Sequence, residues 1–193
     1  PLHRLQLSQR HKGIIQQSVD QRLAGSYPYL VPTLNEINAA SVDLASQYFS
    51  RCCVSQGYIT SMIENRPYSS AEALLNQSDI ATQQLSKAGL LEGFSGHPRI
   101  GERKAHSTWS SSEQSGVDQS AVSLMQELEQ ANLKYEDKFD HVFLICATGK
   151  SGEFMLSECK RRLSNSAEVE LEEAREQLKL INAIRINKLL EEV

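Results

Sequence analysis

The sequence contains no apolar run approaching the roughly 18 residues that a membrane-spanning helix needs. Its polar, basic start does not read as a secretory leader. An excess of base is also missing. Twenty Lys and Arg against 24 Asp and Glu leave a formal net charge of −4, so the electrostatic footprint of a nucleic-acid binder is absent. Cysteine is scarce: Cys52, Cys53, Cys146 and Cys159 are the only four, and none falls in a Cys-x-x-Cys spacing. That excludes a zinc ribbon and a secreted disulfide framework, and it leaves buried, reduced thiols as the reading. The five histidines form no His-x3-His pair, so no metal is expected. Neither an internal repeat nor a low-complexity linker interrupts the chain. Its 193 residues suit one compact domain with a genuine core.

What is present is helical periodicity. Residues 14–23 form a short amphipathic candidate. Ser41 reads as an N-cap before Val42, Leu44, Ala45, Tyr48, Phe49, Cys52 and Cys53, which recur at steps of three and four. Arg66-Pro67-Tyr68 breaks the chain. Ser69 or Ser70 then opens a long helix through Ala73, Leu74, Ile80, Ala81, Leu85 and Ala88, expected to stop near Gly89. Leu90, Leu91 and Phe94 suggest one further turn. Residues 95–116 are rich in Ser, Gly, His and base and lack an apolar repeat. They read as a long irregular connection of the kind that usually carries function. Helical spacing resumes after Val117. His141–Cys146 is too short for a helix and reads as a buried strand or an extended segment. Residues 151–164 are helical, and Asn165 or Ser166 caps the last and longest helix, whose acidic start suits its positive end.

Three features bear on chemistry. On the last helix, Leu171, Ala174, Leu178, Ile181 and Leu189 share one arc, and Arg185 lies within it. A guanidinium on a face meant for burial needs a partner. Either it bonds a structural carboxylate or snorkels at the helix end, or it is a preorganised anion clamp. The second feature is His97-Pro98-Arg99-Ile100-Gly101. Pro98 stiffens the backbone around His97, and a firmly held imidazole suits acid/base work near neutrality. The third is Ser110-Ser111-Ser112-Glu113-Gln114. Ser110 and Glu113 have capping-box spacing, and a helix start there would also hold Glu113 and Gln114 rigidly. Gly149-Lys150-Ser151 echoes the end of a phosphate-binding loop. The glycine required five residues before Gly149 is Leu144, so that reading is set aside.

Taken in order, Leu34–Asn38, Arg66-Pro67-Tyr68, Phe94–Gly101, Ser112-Glu113-Gln114, Phe143–Ser151 and Glu170-Leu171 with Ile184–Leu189 resemble the 2-oxo-4-hydroxy-4-carboxy-5-ureidoimidazoline (OHCU) decarboxylase family. The resemblance covers roughly residues 34–190 and leaves 1–33 as a partly helical N-terminal extension, with the domain running over 34–193. It implies an all-α, single-domain helical bundle, usually a homodimer, that decarboxylates OHCU to (S)-allantoin without a cofactor. The family's catalytic His, active-site Glu and substrate-binding Arg match His97, Glu113 and Arg185. Its other ligand contacts match Pro98, Ser110, Gln114 and the backbone around Ile145. Where the family often has Phe, this chain has Tyr68, which is read as packing. In the family, the run 141–146 lies within a helical fold, which weakens the strand option.

Arg4-Leu5 followed five residues later by His11-Lys12 is similar to a peroxisomal targeting pattern, with Lys12 departing from its usual Leu or Ala. A peroxisomal location is therefore expected, with the cytoplasm as the alternative. The competing functional class is a non-enzymatic helical scaffold that binds partner proteins through its acidic helices.

Overall fold

The computed structural model describes residues 32–100 and 119–190, and among these it is all helical with no strand. Eight helices follow one another: α1 (Leu34–Ala39), α2 (Val42–Ser50), α3 (Gln56–Glu64), α4 (Ala71–Gln83), α5 (Lys87–Ser95), α6 (Gln119–Phe139), α7 (Gly152–Arg162) and α8 (Ala167–Leu190). The all-α expectation holds. The amphipathic candidate at 14–23 lies outside the described residues.

Local chemistry sets most helix starts. Thr33 and Glu36 form a full capping box on α1, the Thr33 hydroxyl accepting from the Glu36 amide and the carboxylate accepting from the Thr33 amide. Ser41, Ser70, Ser86 and Ser151 each accept from the amide three residues on, at α2, α4, α5 and α7. Ser166 does the same for α8 through Val169. The long helix expected to run from Ser70 to Gly89 is in fact two. It ends at Gln83, Ser86 caps a new helix, and Gly89 lies inside α5. The Ser86 hydroxyl accepts from the Gly89 amide and so satisfies one orphan donor at the new helix start.

The described residues fall into two compact units. The first gathers the helices up to Leu85 together with the end of α8 from Ile181 onward. Within it α2 packs on α3 and α3 on α4, burying Ile37, Phe49, Tyr58, Met62 and Leu74. Two segments that carry the family resemblance are tied together here. Asn38 donates to the Tyr68 carbonyl and accepts from the Tyr68 amide, both at 2.8 Å. Arg66 donates to the carbonyls of Ile37 and Ala40 at the end of α1. Tyr68 is buried, and its hydroxyl donates to the Met62 carbonyl at 2.6 Å, which gives the tyrosine a packing role. A buried polar chain anchors α8: Asn182 donates to the Thr82 hydroxyl, Thr82 donates to the Ser78 carbonyl, and the Ser78 hydroxyl bonds Tyr58.

The second unit spans Ser86–Leu180. Helix α6 packs on α7, and its core gathers Leu128, Ala131, Tyr135, Phe139, Phe143, Ile145, Leu156 and Cys159. The run at 142–147 is neither helix nor strand, with Phe143–Cys146 buried. Gly149 turns it at φ +74°, a left-handed conformation that glycine adopts without steric cost. Ser151 then starts α7, so Gly149-Lys150-Ser151 serves as a turn and a cap.

Candidate functional site

His97 leaves the C-terminal end of α5. Its amide donates to the Phe94 carbonyl at 3.0 Å, and its ring Nδ1 lies 3.1 Å from the Gly93 carbonyl. A carbonyl can only accept, so Nδ1 donates, and the neutral ring then carries its basic lone pair on Nε2. The residues that follow are held by α6. Arg99 forms a two-pronged pair with Glu136, Nε to Oε1 and Nη2 to Oε2 both at 2.6 Å. The Asn132 amide donates to the Ile100 carbonyl at 2.9 Å. Half-buried His97 and exposed Pro98 thus sit on a turn fixed at both ends.

The segment at 142–147 is held by two side chains. Arg162, almost fully buried, donates to the Leu144 carbonyl at 2.8 Å, and the Gln177 side chain accepts from the Cys146 amide at 3.0 Å. Ile145, the expected backbone contact, lies between these two fixed points. The Arg162 charge is neutralised by Glu170, itself buried, through Nε and Nη2. Glu170 also accepts from the Tyr135 hydroxyl and from Asn165. The guanidinium lies 4.9 Å from the Phe143 ring centroid and 5.8 Å from that of Tyr135. A buried ion pair of this kind is tolerable only when its remaining donors and acceptors are satisfied, as they are here. Burial and the adjoining Glu170 carboxylate push the Tyr135 phenol well above its ordinary range.

Arg185 lies in the first unit, half-buried on α8. Its Nη1 donates to the Cys52 carbonyl just beyond α2 at 2.7 Å. Among the described residues no carboxylate pairs with it. The structural-carboxylate reading therefore finds no support there; among the described residues the guanidinium is held by a neutral acceptor. The buried stripe of α8 is also more polar than its apolar spacing suggested. Glu170, Ala174, Arg175, Leu178, Asn182, Ile186 and Leu189 are buried, whereas Leu171 and Ile181 are only partly so.

His97, Pro98 and Ile145 belong to the second unit and Arg185 to the first. Ser110, Glu113 and Gln114 lie outside the described residues. Sequence reasoning missed Asn132, Glu136, Arg162, Glu170 and Gln177 as supports. The only advance signal was Glu170, which opens the last resembling segment. Among the described residues, no cluster of three or more His, Cys, Asp or Glu is arranged to hold a metal, and no helix is long and apolar enough to cross a membrane.

A family model described as OHCU decarboxylase matches residues 38–187. The chain is 33% identical over 157 residues to the uric acid degradation bifunctional protein TTL of Arabidopsis thaliana, covering 77% of this chain and 48% of that protein. It is 29% identical over 130 residues to the uric acid degradation bifunctional protein of Bacillus sp. (strain TB-90), covering 66% of this chain and 26% of that one. The chain thus spans about half or less of the curated relatives it matches. Among solved structures, it is similar to an OHCU decarboxylase crystallised in the presence of (S)-allantoin, with a TM-score of 0.61 at 32% identity, covering 76% of this chain and 99% of that one. A second, titled (S)-allantoin synthase, aligns with a TM-score of 0.63 at 13% identity over 82% of this chain and 54% of that one, a likeness of fold alone.

Proposed function

The chain belongs to the OHCU decarboxylase family, and from that premise we propose that it decarboxylates OHCU to (S)-allantoin, with His97, Glu113 and Arg185 as the groups that carry the reaction. The observation that carries this reading is Arg185: a half-buried guanidinium held by the Cys52 carbonyl, with no carboxylate partner among the described residues. Such a group is set to receive an anion.

OHCU bears its carboxylate on a tetrahedral ring carbon beside a conjugated C=N. When the carbon–carboxylate bond breaks, its electron pair passes into the ring and the C=N accepts it. CO₂ leaves a ring enol in which the former C=N nitrogen takes up one proton. The hydroxyl then gives up its proton as its own carbon becomes the ring carbonyl, and a proton delivered to the neighbouring ureido-bearing carbon completes allantoin. Arg185 holds a carboxylate or carbonyl oxygen of the substrate. His97, its tautomer set by Gly93, polarises the hydroxyl or carboxyl region and works as acid/base. Glu113 sets the protonation of His97 or relays the proton, while Ser110, Gln114, Pro98 and the Ile145 backbone read the ring and ureido amides. Placement and charge stabilisation each supply several kcal/mol in sites of this kind. The homodimer and the peroxisomal location implied by resemblance complete the reading.

The test is an assay with freshly generated OHCU, timed against its spontaneous decay. The proposal expects loss of OHCU well above the uncatalysed rate, with a circular dichroism signal of (S)-allantoin. Decay at the spontaneous rate with racemic product would reject it in favour of a helical interaction scaffold.

A further inference from the structure

We propose that Asn132 and Glu136 on α6 are positioning residues for His97, a role that rests on the decarboxylase reading and extends it to α6. The two are four residues apart and share one helix face. From that face they hold consecutive residues of the turn that begins at His97: Glu136 takes both prongs of Arg99, and Asn132 takes the Ile100 carbonyl. Behind the imidazole, the last turn of α5 supplies the Phe94 and Gly93 carbonyls. Pro98 stiffens the one residue between. The backbone of His97 is therefore clamped on its N-terminal side by α5 and on its C-terminal side by α6.

Asn132 is a costly way to fill its position. It is almost fully buried beside Leu128, Ala131 and Tyr135, and its amide oxygen has no hydrogen-bond partner among the described residues. A buried amide with half its hydrogen bonds unmade costs stability, so a leucine would serve the core as well or better. What leucine cannot do is donate to Ile100. The Arg99–Glu136 pair has a similar character. Arg99 is 44% exposed, where ion pairs add little to stability, yet the two-pronged geometry fixes orientation closely. Both contacts are poor investments in stability and good ones in placement, and a displacement of about 1 Å at a reacting group costs on the order of 100-fold in rate.

The experiment uses the full chain and the variants Glu136→Ala, Asn132→Leu, and the exchange Arg99→Glu with Glu136→Arg. Steady-state kinetics on OHCU, thermal unfolding, and nitrogen-15 spectra of the His97 ring, assigned with His97→Asn, are recorded for each. Glu136→Ala and Asn132→Leu are each expected to lower kcat about 10- to 100-fold with KM nearly unchanged. The unfolding temperature should stay close to wild type, and the Nδ1–H signature of His97 should weaken. The exchange should restore most of kcat lost in Glu136→Ala. Unchanged kcat and an unchanged ring spectrum in both single variants would overturn the proposal. So would a loss of rate that follows the unfolding temperature and is not recovered by the exchange. If the wild type does not turn over OHCU, the decarboxylase reading fails separately. The ring spectrum then decides alone: persistence of the Nδ1–H form in both variants rejects the clamp, and its loss sustains it.

Discussion

Arg162 of α7 donates to the carbonyl of Leu144 while its charge is neutralised by Glu170 of α8, so a buried cation holds a non-helical segment 18 residues earlier in the chain. Among the described residues there is no sheet for this segment to pair with, and its backbone groups must be satisfied another way. Arg162 from one side and Gln177 from the other do so on either side of Ile145.

Removing one member of the buried pair leaves the other uncompensated. Arg162→Met should destabilise the fold by about 3–5 kcal/mol, read as a lower urea midpoint. Adding Glu170→Gln to that variant should recover part of the loss, because the stranded carboxylate is then gone.

The helix starts were legible in the sequence because capping is local. Ser41, Ser70, Ser151 and Ser166 each act within three residues of themselves. Helix α3 escaped notice because its apolar period is short and its N-cap, Ser55, makes no side-chain cap bond. Gly89 read as a stop because glycine commonly follows a helix, and the cap at Ser86 overrode it. At the site, Arg185 and His97 stood out because their residue types clash with their local pattern. Asn132, Glu136, Arg162 and Gln177 did not, since the turn and segment residues they hold lie 18 to 37 residues away in sequence and no local pattern encodes those contacts.

Acid sensitivity should trace to His141. Burial among Phe94, Tyr135 and Phe139 lowers its pKa below the ordinary 6.5. The unfolded chain therefore binds the proton more readily than the folded one, and stability falls as pH drops through about 6.5, the loss being complete below the folded pKa. Nearby Glu170, Arg162 and Asp140 also act on this ring. His141→Phe keeps the aromatic packing and removes the titration. Between pH 7 and 5.5 its unfolding free energy should vary less than that of the wild type.

The thiols should be inert in the native state. Burial pushes Cys52 up to about 12 and Cys159 up to about 11, and all four cysteines are buried thiols outside any disulfide. Alkylation at pH 8 should leave Cys52 and Cys159 unmodified in the folded protein and label all four in denaturant. Because the folded pKa values are raised, the corresponding stability is present below pH 9 and is lost as pH rises above it. Rapid native labelling of Cys52 would contradict the packing around it.

Arg185→Gln should act on the ligand more than on the fold. Its bond within the protein is to a neutral carbonyl, while each charge-assisted bond lost to an anion is worth about 1.5–3 kcal/mol. KM for OHCU should rise roughly 10- to 100-fold with the unfolding temperature little changed. A variant that unfolds instead would return Arg185 to a structural role.

The account turns on His97, and the most direct measurement is His97→Asn assayed for CO₂ release and for the enantiomeric excess of allantoin, with folding checked on the same sample. The predicted result is a folded protein whose rate falls by about 100-fold or more and whose product loses its excess of the S form. A folded variant that releases CO₂ at the wild-type rate and still yields (S)-allantoin would contradict it.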